Sequence, residues 1–374
     1  MRFLHTADLH IGKRVFDISL TDDQKAVLSQ IADIAQRENC DAVLIAGDVY
    51  DRSSPPAEAM TAFSDFVSSL SEKGIPVYII GGNHDSGERV DYMAPLLERS
   101  GVYFCGAFDG GLRSYKMRDA HGDVNIHLLP FVKPINVKRY FPDAEIQSYE
   151  QAIKTVLDNA DVDFDSRNVL VAHQFITGGE TCDSEEFAIG GLDNISASVF
   201  DGFDYVALGH LHGCQRVGRD TLRYSGSPIK YSFSEMNHKK SVTIVDIGEK
   251  GSTEIRTVPL TQPHDMRDVS GTLAELMSGE YSEDYVRVTV TDEDVAPDAA
   301  SMVLSVYPNM MRFGVKNSKI GVAEQYMSAQ DIGTKSISQL FCEFYSLRNN
   351  GVEPDGKRMK LLEEILAQIG DEQL

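Results

Sequence analysis

The sequence predicts an α/β protein: a layered α/β domain, then a small α/β module, then a helical C-terminal segment. Three observations predict it. Short β-rich runs alternate with amphipathic helical runs over the first two thirds of the chain. Polar residues of metal-ligand type stand directly after five of the strand-like runs, and the composition changes after Thr261-Gln262-Pro263 and again near the C-terminus. A length of 374 residues fits two or three domains at ~100 to 200 residues each.

In chain order, residues 2–7 read as a strand and 21–39 as a helix. Thr21 and Gln24 have capping-box spacing there, and Val27, Leu28, Ile31, Ile34 and Ala35 share one apolar face. Residues 42–46 form an apolar run of strand length. A helix over 56–73 sets Ala59, Met60, Phe63, Phe66, Val67 and Leu70 on one side, and Gly74 suits its C-terminal cap. Runs at 76–80, 126–129, 169–172, 205–208 and 241–247 continue the sheet, and the last closes the first domain near Leu260. Beyond Pro263 the chain turns acidic, with Glu275, Glu280, Glu283, Asp284 and Asp292 to Asp294 set against Arg287. A helix over 269–277 and a strand over 285–291 predict a separate module. At the end, Leu340, Phe341, Phe344 and Tyr345 form one helical stripe. Asn349-Asn350-Gly351 and Pro354-Asp355-Gly356 break it, and Leu361, Leu362, Ile365, Leu366 and Ile369 form another.

Hydrophobic residues at 42% and charged residues at 25% are ordinary for a globular chain, which excludes bulk disorder. Nothing approaches the ~18 uninterrupted apolar residues of a membrane span, and the segment Met1 to Asp8 has no signal-peptide core. The expectation is a cytoplasmic protein without membrane contact. Cys40, Cys105, Cys182, Cys214 and Cys342 are far apart and never in C-x-x-C, so neither a disulfide framework nor a zinc ribbon is indicated. With 35 basic and 57 acidic residues the net charge is −22, a field that repels nucleic acid at long range. Any binding of nucleic acid has to come from local chemistry.

That chemistry sits in five pieces: Asp8-Leu9-His10, Gly47-Asp48-Val49-Tyr50-Asp51, Gly82-Asn83-His84-Asp85, Ala172-His173-Gln174 and Gly209-His210-Leu211-His212. In an α/β sheet such loops gather at one edge, so residues distant in sequence converge on one crevice. Carboxylates, one carboxamide and several imidazoles make a mixed oxygen and nitrogen set suited to Mn²⁺, Fe²⁺ or Zn²⁺, and the absence of cysteine argues against structural zinc. Gly47, Gly82 and Gly209 fit places of tight turning or close approach.

The five pieces resemble the calcineurin-like metallophosphoesterase family, whose signature D-x-H, G-D-x-x-D, G-N-H-D, a lone H and G-H-x-H is present in full and in order from Asp8 to His212. The resemblance implies a layered α/β/β/α metallophosphoesterase sandwich holding two divalent metal ions, with Mn²⁺ the expected metal. It assigns Asp8, His10 and His212 to one ion and Asn83, His173 and His210 to the second, with Asp48 bridging. It makes His84 the catalytic imidazole beside the site, and leaves Asp51 and Asp85 to orient ligand histidines from behind.

Further features resemble the bacterial SbcD (Mre11-like) nuclease-subunit family: the run Thr6 to Arg14, Ser54-Pro55-Pro56 behind the second motif, and Tyr224-Ser225-Gly226-Ser227-Pro228 followed by Ser232-Phe233-Ser234-Glu235. Relatives from archaea and eukaryotes often carry histidine where Asp51 stands, so this chain departs toward the bacterial branch. The resemblance implies a nuclease domain over 1–260, a DNA-capping domain over 261–335 and C-terminal helices over 336–374 that dock an SbcC/Rad50-like SMC ATPase. The implied activity is exonuclease on double strands and endonuclease on hairpins and single strands, in DNA end processing, repair and recombination.

A homodimer is expected through the helix carrying Phe63, Phe66 and Leu70 and the segment carrying Tyr92, Met93, Leu96 and Leu97. Two ions would leave the crevice locally positive. Lys13 and Arg14 lie beside it as nucleic-acid contacts, while Lys133, Lys138, Arg139, Arg312, Lys316 and Lys319 fit solvated faces equally well. The competing reading is a stand-alone metallophosphoesterase acting on nucleotides or small phosphodiesters. A non-catalytic scaffold would have lost ligands, and none is lost here.

Overall fold

The apolar runs become the inner strands of two sheets in the computed structural model, which describes residues 1–87, 91, 94–185, 194–317, 342, 345–346 and 353–362. In chain order the strands that matter are β1 (Arg2–Thr6), β2 (Ala42–Ala46), β3 (Val77–Ile80), β4 (Val102–Cys105), β5 (Arg113–Asp119), β6 (Gly122–Leu129), β7 (Arg167–His173), β8 (Tyr205–Gly209), β9 (Gln215–Val217), β10 (Arg219–Tyr224), β11 (Ser241–Ile247) and β12 (Thr253–Pro259). One sheet has the order β12-β11-β1-β2-β3-β4 and the other β9-β10-β8-β7-β6-β5. β1 to β4 run parallel, as do β6, β7, β8 and β10, while β11 pairs antiparallel with β1.

The two sheets face each other over a shared core. Phe3, Leu44, Ala46, Tyr78 and Ile80 from one meet Ile126, Leu128, Val169, Val171, Tyr205 and Ala207 from the other. The alternate residues of β7 and β8, Leu170, Ala172, Val206 and Leu208, point to the opposite face, as the two-residue period of a strand requires. There they pack with Ala152, Ile153 and Val156 of a helix over Tyr149–Asp158. Helix α1 (Thr21–Arg37) packs on α2 (Ala57–Glu72), and α2 on β3. The layers are therefore α/β/β/α. Gly74 follows α2 at φ +71°, the left-handed position that glycine takes without strain.

Two local expectations are corrected. Thr21 and Gln24 form no capping box: the helix begins after Leu20 with no side-chain cap, because Gln24 is drawn into the loop of the first motif, as described below. Residues 269–271 belong to a strand, β13 (Met266–Gly271), and the helix is confined to Leu273–Met277, where Thr272 and Glu275 do form a capping box.

The chain divides into two compact units, Met1–Arg267 with Glu283–Val286, and Asp268–Ser282 with Arg287–Leu374. The three-stranded sheet β13-β14-β15 adds β14 (Tyr285–Val290) and β15 (Met310–Val315). Leu276, Val288, Val290, Ala299 and Val303 are buried in the second unit. Of the expected C-terminal stripes, Tyr345, Leu361 and Leu362 are described, and residues 356–362 are helical. Leu340, Phe341, Phe344, Ile365, Leu366 and Ile369 lie outside the described residues, as do Tyr92, Met93 and Lys319.

Candidate metal centre

The five motifs occupy one edge because the strands before them end level. Thr6 is in register with Ile45, Ala46 with Ile80, and Gly209 with His173. The first two loops are then stitched together, the Asp8 N–H donating to the Gly47 carbonyl (3.0 Å) and the His10 N–H to the Asp48 carbonyl (2.9 Å). Asp8, His10, Asp48 and His210 all have positive φ, at 54°, 40°, 50° and 104°. Each such residue costs roughly 1 to 3 kcal/mol and persists only where the surroundings over-determine it. Glycine is required where backbones nearly touch. A Cβ on Gly209 would stand 1.8 Å from the Ala46 carbonyl oxygen, and one on Gly82 would stand 2.1 Å from Asp48 Oδ1.

Donor atoms converge in this space. Nε2 of His10 lies 3.2 Å from Nε2 of His212 and 3.7 Å from Asp48 Oδ2. His173 Nε2 lies 3.3 Å from Asp48 Oδ2 and 3.0 Å from Asn83 Oδ1, which in turn is 3.1 Å from His210 Nδ1. Asp8, His10, Asp48, His173, His210 and His212 are all buried. Of the four groups among the described residues whose ligand atoms lie mutually within 4.8 Å, three are here: Asp8, His10 and His212; His10, Asp48 and His84; and Asp8, Asp48 and His173. The set expected from sequence is thus brought together, with His84 grouped beside His10 and Asp48.

Charge in this pocket is unevenly held. Burial raises the Asp8 carboxyl to about 7. Burial also opposes the charge of Asp48, but the His173, His10 and His84 imidazoles outweigh it and hold Asp48 far below the usual carboxylate range. His173 answers in kind: burial works against its cation, yet Asp48 raises it to about 9. His10 and His210 are lowered, chiefly by burial, the latter to about 3.

The donor set fits a divalent metal. His173 Nδ1–H donates to the Ala46 carbonyl at 2.7 Å, which leaves Nε2 to face the oxygens of Asp48 and Asn83. Asp8 Oδ2 is buried without a hydrogen-bond donor. Oxygen and nitrogen donors packed this closely in a buried site, one carboxylate oxygen among them unpartnered, suit a cation held between them.

Asp51 and Asp85 are corrected. Among the described residues neither carboxylate hydrogen-bonds a histidine. Asp85 accepts the backbone N–H groups of Val49, Tyr50 and Gly82, each at 3.0 Å, and so ties the second motif to the third. The Asp51 carboxylate holds Lys13 at 2.7 Å, and it is the Asp51 main-chain carbonyl that accepts from His84 Nδ1 at 3.0 Å. Lys13 is therefore already paired. Arg14 is exposed and donates to the Asp17 carbonyl.

Other supporting residues were not singled out by sequence reasoning. Gln24 donates to the Leu9 and His10 carbonyls and accepts from the Gly12 N–H. Tyr231 donates to the Leu9 carbonyl. Ser184, Glu185, Glu235 and Lys240 surround His212. Only Glu235 carried a signal, through its place after the Tyr224-Ser225-Gly226-Ser227-Pro228 run.

Residues 1–214 match the family model described as calcineurin-like phosphoesterase, and residues 262–349 match one described as type 5 capsule protein repressor C-terminal domain. The first match spans more than half of the chain, which therefore belongs to the calcineurin-like phosphoesterase family, the class that the α/β/β/α sandwich and the donor cluster also define. A curated relative from Staphylococcus epidermidis, the SbcD subunit of the nuclease SbcCD, is 31% identical over 319 residues, covering 83% of this chain and 84% of its own. Solved structures include a dimetal phosphatase from Danio rerio (TM-score 0.40, 11% identity, 70% of this chain and 99% of that one). A protein from Thermus thermophilus matches similarly (TM-score 0.37, 12% identity, 68% and 98%).

Removing the Asp85 carboxylate strands three amides at once. Asp85→Ala is expected to lower the unfolding free energy of the metal-free protein by roughly 2 to 4 kcal/mol. Urea denaturation in the presence of a chelator measures this, and an unchanged midpoint would contradict the stitching role.

Proposed function

We propose that the chain is a two-metal DNA nuclease, the phosphodiesterase subunit of an assembly with an SMC-like ATPase that processes DNA ends in repair and recombination. The observation that carries the reading is the convergence of seven oxygen and nitrogen donors on one buried crevice, in a chain of the phosphoesterase family. The choice of DNA is supported by the 31% identity to a relative named as a nuclease subunit, which spans 83% of the chain.

Asp8, His10 and His212 would hold one ion, and Asn83, His173 and His210 the other, with the Asp48 carboxylate between them. Mn²⁺ suits this mixed oxygen and nitrogen set. Divalent ions bound there supply Lewis acidity, easing attack of water on phosphorus and neutralising the phosphoryl oxygens. His84 is held from behind by the Asp51 carbonyl at Nδ1. From Nε2 it delivers a proton to the departing sugar oxygen, or a hydrogen bond to the crowded phosphorane. Of the two cations following the first motif, Lys13 is bridged to Asp51, and exposed Arg14 is the one left to contact a flanking phosphate.

Residues 1–260 form the nuclease domain in this reading, 261–335 the DNA-capping domain and 336–374 the ATPase-docking helices, and the protein works in the cytoplasm on the nucleoid. Two copies pair through α2. Phe63, Phe66 and Leu70 are buried within the chain's own core, so the contact falls to exposed Met60 and Leu96, beside an apolar groove of ≈ 330 Å³ lined by Tyr50, Phe63 and Phe104.

Asp48→Asn should abolish cleavage of a hairpin DNA in Mn²⁺ and His84→Gln should severely slow it, by different routes. The first should leave about one bound ion or fewer, because a neutral amide does not hold two cations together. The second should keep both while slowing the chemical step by roughly 10² to 10³. Metal analysis beside single-turnover rates separates them. Hydrolysis of small phosphodiesters with no action on the hairpin would instead favour a stand-alone phosphodiesterase. Truncation before Ser336 is expected to leave a folded, metal-binding phosphodiesterase that no longer copurifies with its ATPase. Retained binding would sink the docking assignment. Met60→Glu should shift sedimentation from dimer toward monomer at micromolar concentration, and a wild-type chain that sediments only as monomer would remove the dimer.

A further inference from the structure

His212 presents Nε2 to the donor cluster, 3.2 Å from Nε2 of His10, and Nδ1 to a polar chain behind it. Ser184 Oγ lies 2.8 Å from that Nδ1 and 2.6 Å from Oε1 of Glu235. The other Glu235 oxygen, Oε2, takes the Lys240 ammonium at 2.5 Å. Lys240 uses its remaining protons on the His212 carbonyl (3.0 Å) and the Ser227 hydroxyl (2.7 Å). Glu235 and Lys240 are both buried, at 0% and 5% exposure.

With the Lys240 ammonium on Oε2, the Glu235 carboxylate acts as an acceptor, so the single proton of Ser184 points to Oε1, and the serine oxygen is left to accept from His212 Nδ1–H. The imidazole tautomer follows: Nδ1 carries the proton and Nε2 the lone pair. Glu235 Oε1 itself stands 3.4 Å from Nδ1, too far to replace the serine. Cys182 Sγ is 3.1 Å from the same hydroxyl, so the trio Cys182, His212 and Glu235, spaced closely enough for a metal, has the Ser184 oxygen within hydrogen-bonding reach of all three. The backbone of His212 is pinned as well, its N–H donating to Glu185 Oε1 at 2.6 Å.

We propose that Ser184 is a positioning residue for the ion that Asp8, His10 and His212 would hold, linking the Lys240–Glu235 pair to His212 so that the ring is fixed with Nε2 aimed at the donor cluster. This rests on the reading of His212 as a ligand. Partners of ligand histidines typically contribute 10- to 100-fold to metal affinity. Only one of the two ions is served by this relay, because His173 has its own acceptor in the Ala46 carbonyl.

Calorimetric titration of the metal-free, full-length chain with Mn²⁺ alone tests it. Wild type should bind two ions. Ser184→Ala should weaken one by roughly 10- to 100-fold and leave the other unchanged, with the melting temperature of the metal-free protein preserved. Ser184→Thr, which keeps the hydroxyl, should restore the lost affinity. Glu235→Gln, which keeps the shape and removes the charge, should weaken the same ion. The proposal is overturned if Ser184→Ala binds both ions as wild type does, or if both weaken together and threonine fails to rescue. A wild-type chain that binds no second ion overturns the ligand assignment, and this proposal with it.

Discussion

Burying two carboxylates and four imidazoles against one another is electrostatically adverse, and much of the structure around them answers that fact. Desolvation alone would neutralise Asp8 and strip the protons from His10 and His210. The chain instead fixes three of them with backbone donors and acceptors: the His210 N–H on Asp8 Oδ1, the His84 N–H on Asp48 Oδ1 and the Ala46 carbonyl on His173 Nδ1. These contacts need loops held in left-handed conformations at four ligand-type positions, and those loops need Asp85 and Gln24 to hold them. A cation at the centre is the one element that relieves the adverse charge rather than merely constraining it.

The site was legible because its chemistry is concentrated directly after strands, where polar residues have no packing reason to recur. The fold was legible only in part. Runs such as 42–46 and 169–172 are apolar throughout because both faces are covered, and nothing in such a run tells one sheet from two facing each other. Edge strands escaped notice for the opposite reason. β5 alternates exposed with half-buried residues, and its Arg113, Lys116, Arg118 and Asp119 mask the period. The Thr21 and Gln24 spacing misled because a tertiary demand outcompeted a local one: two carbonyls of the ligand loop take the amide that a capping box would use. Ser184 and Lys240 carried no signal, since their meaning depends on contacts with residues 28 positions away from His212 on either side.

The charge of −22 sharpens the electrostatic problem for a chain read as acting on a polyanion. Lys13, the cation nearest the first motif, is neutralised by Asp51, and Lys240 by Glu235. Attraction for phosphate must then be short-range and confined to the crevice, so association is not sped by long-range steering.

The donors also come from both sides of the sandwich. Asp8, His10, Asp48 and Asn83 follow strands of one sheet, whereas His173 ends a strand of the other and His210 and His212 follow one. The cluster thus works as a caliper whose jaws are the two sheets and whose spacing is set by Phe3, Leu44, Val171, Tyr205 and their neighbours between them. Any loosening of that interior opens the jaws and spoils the coordination geometry well before the sheets part. Ion retention is therefore a finer gauge of the packing of this core than global unfolding is, and side chains far from the crevice are held to its tolerances.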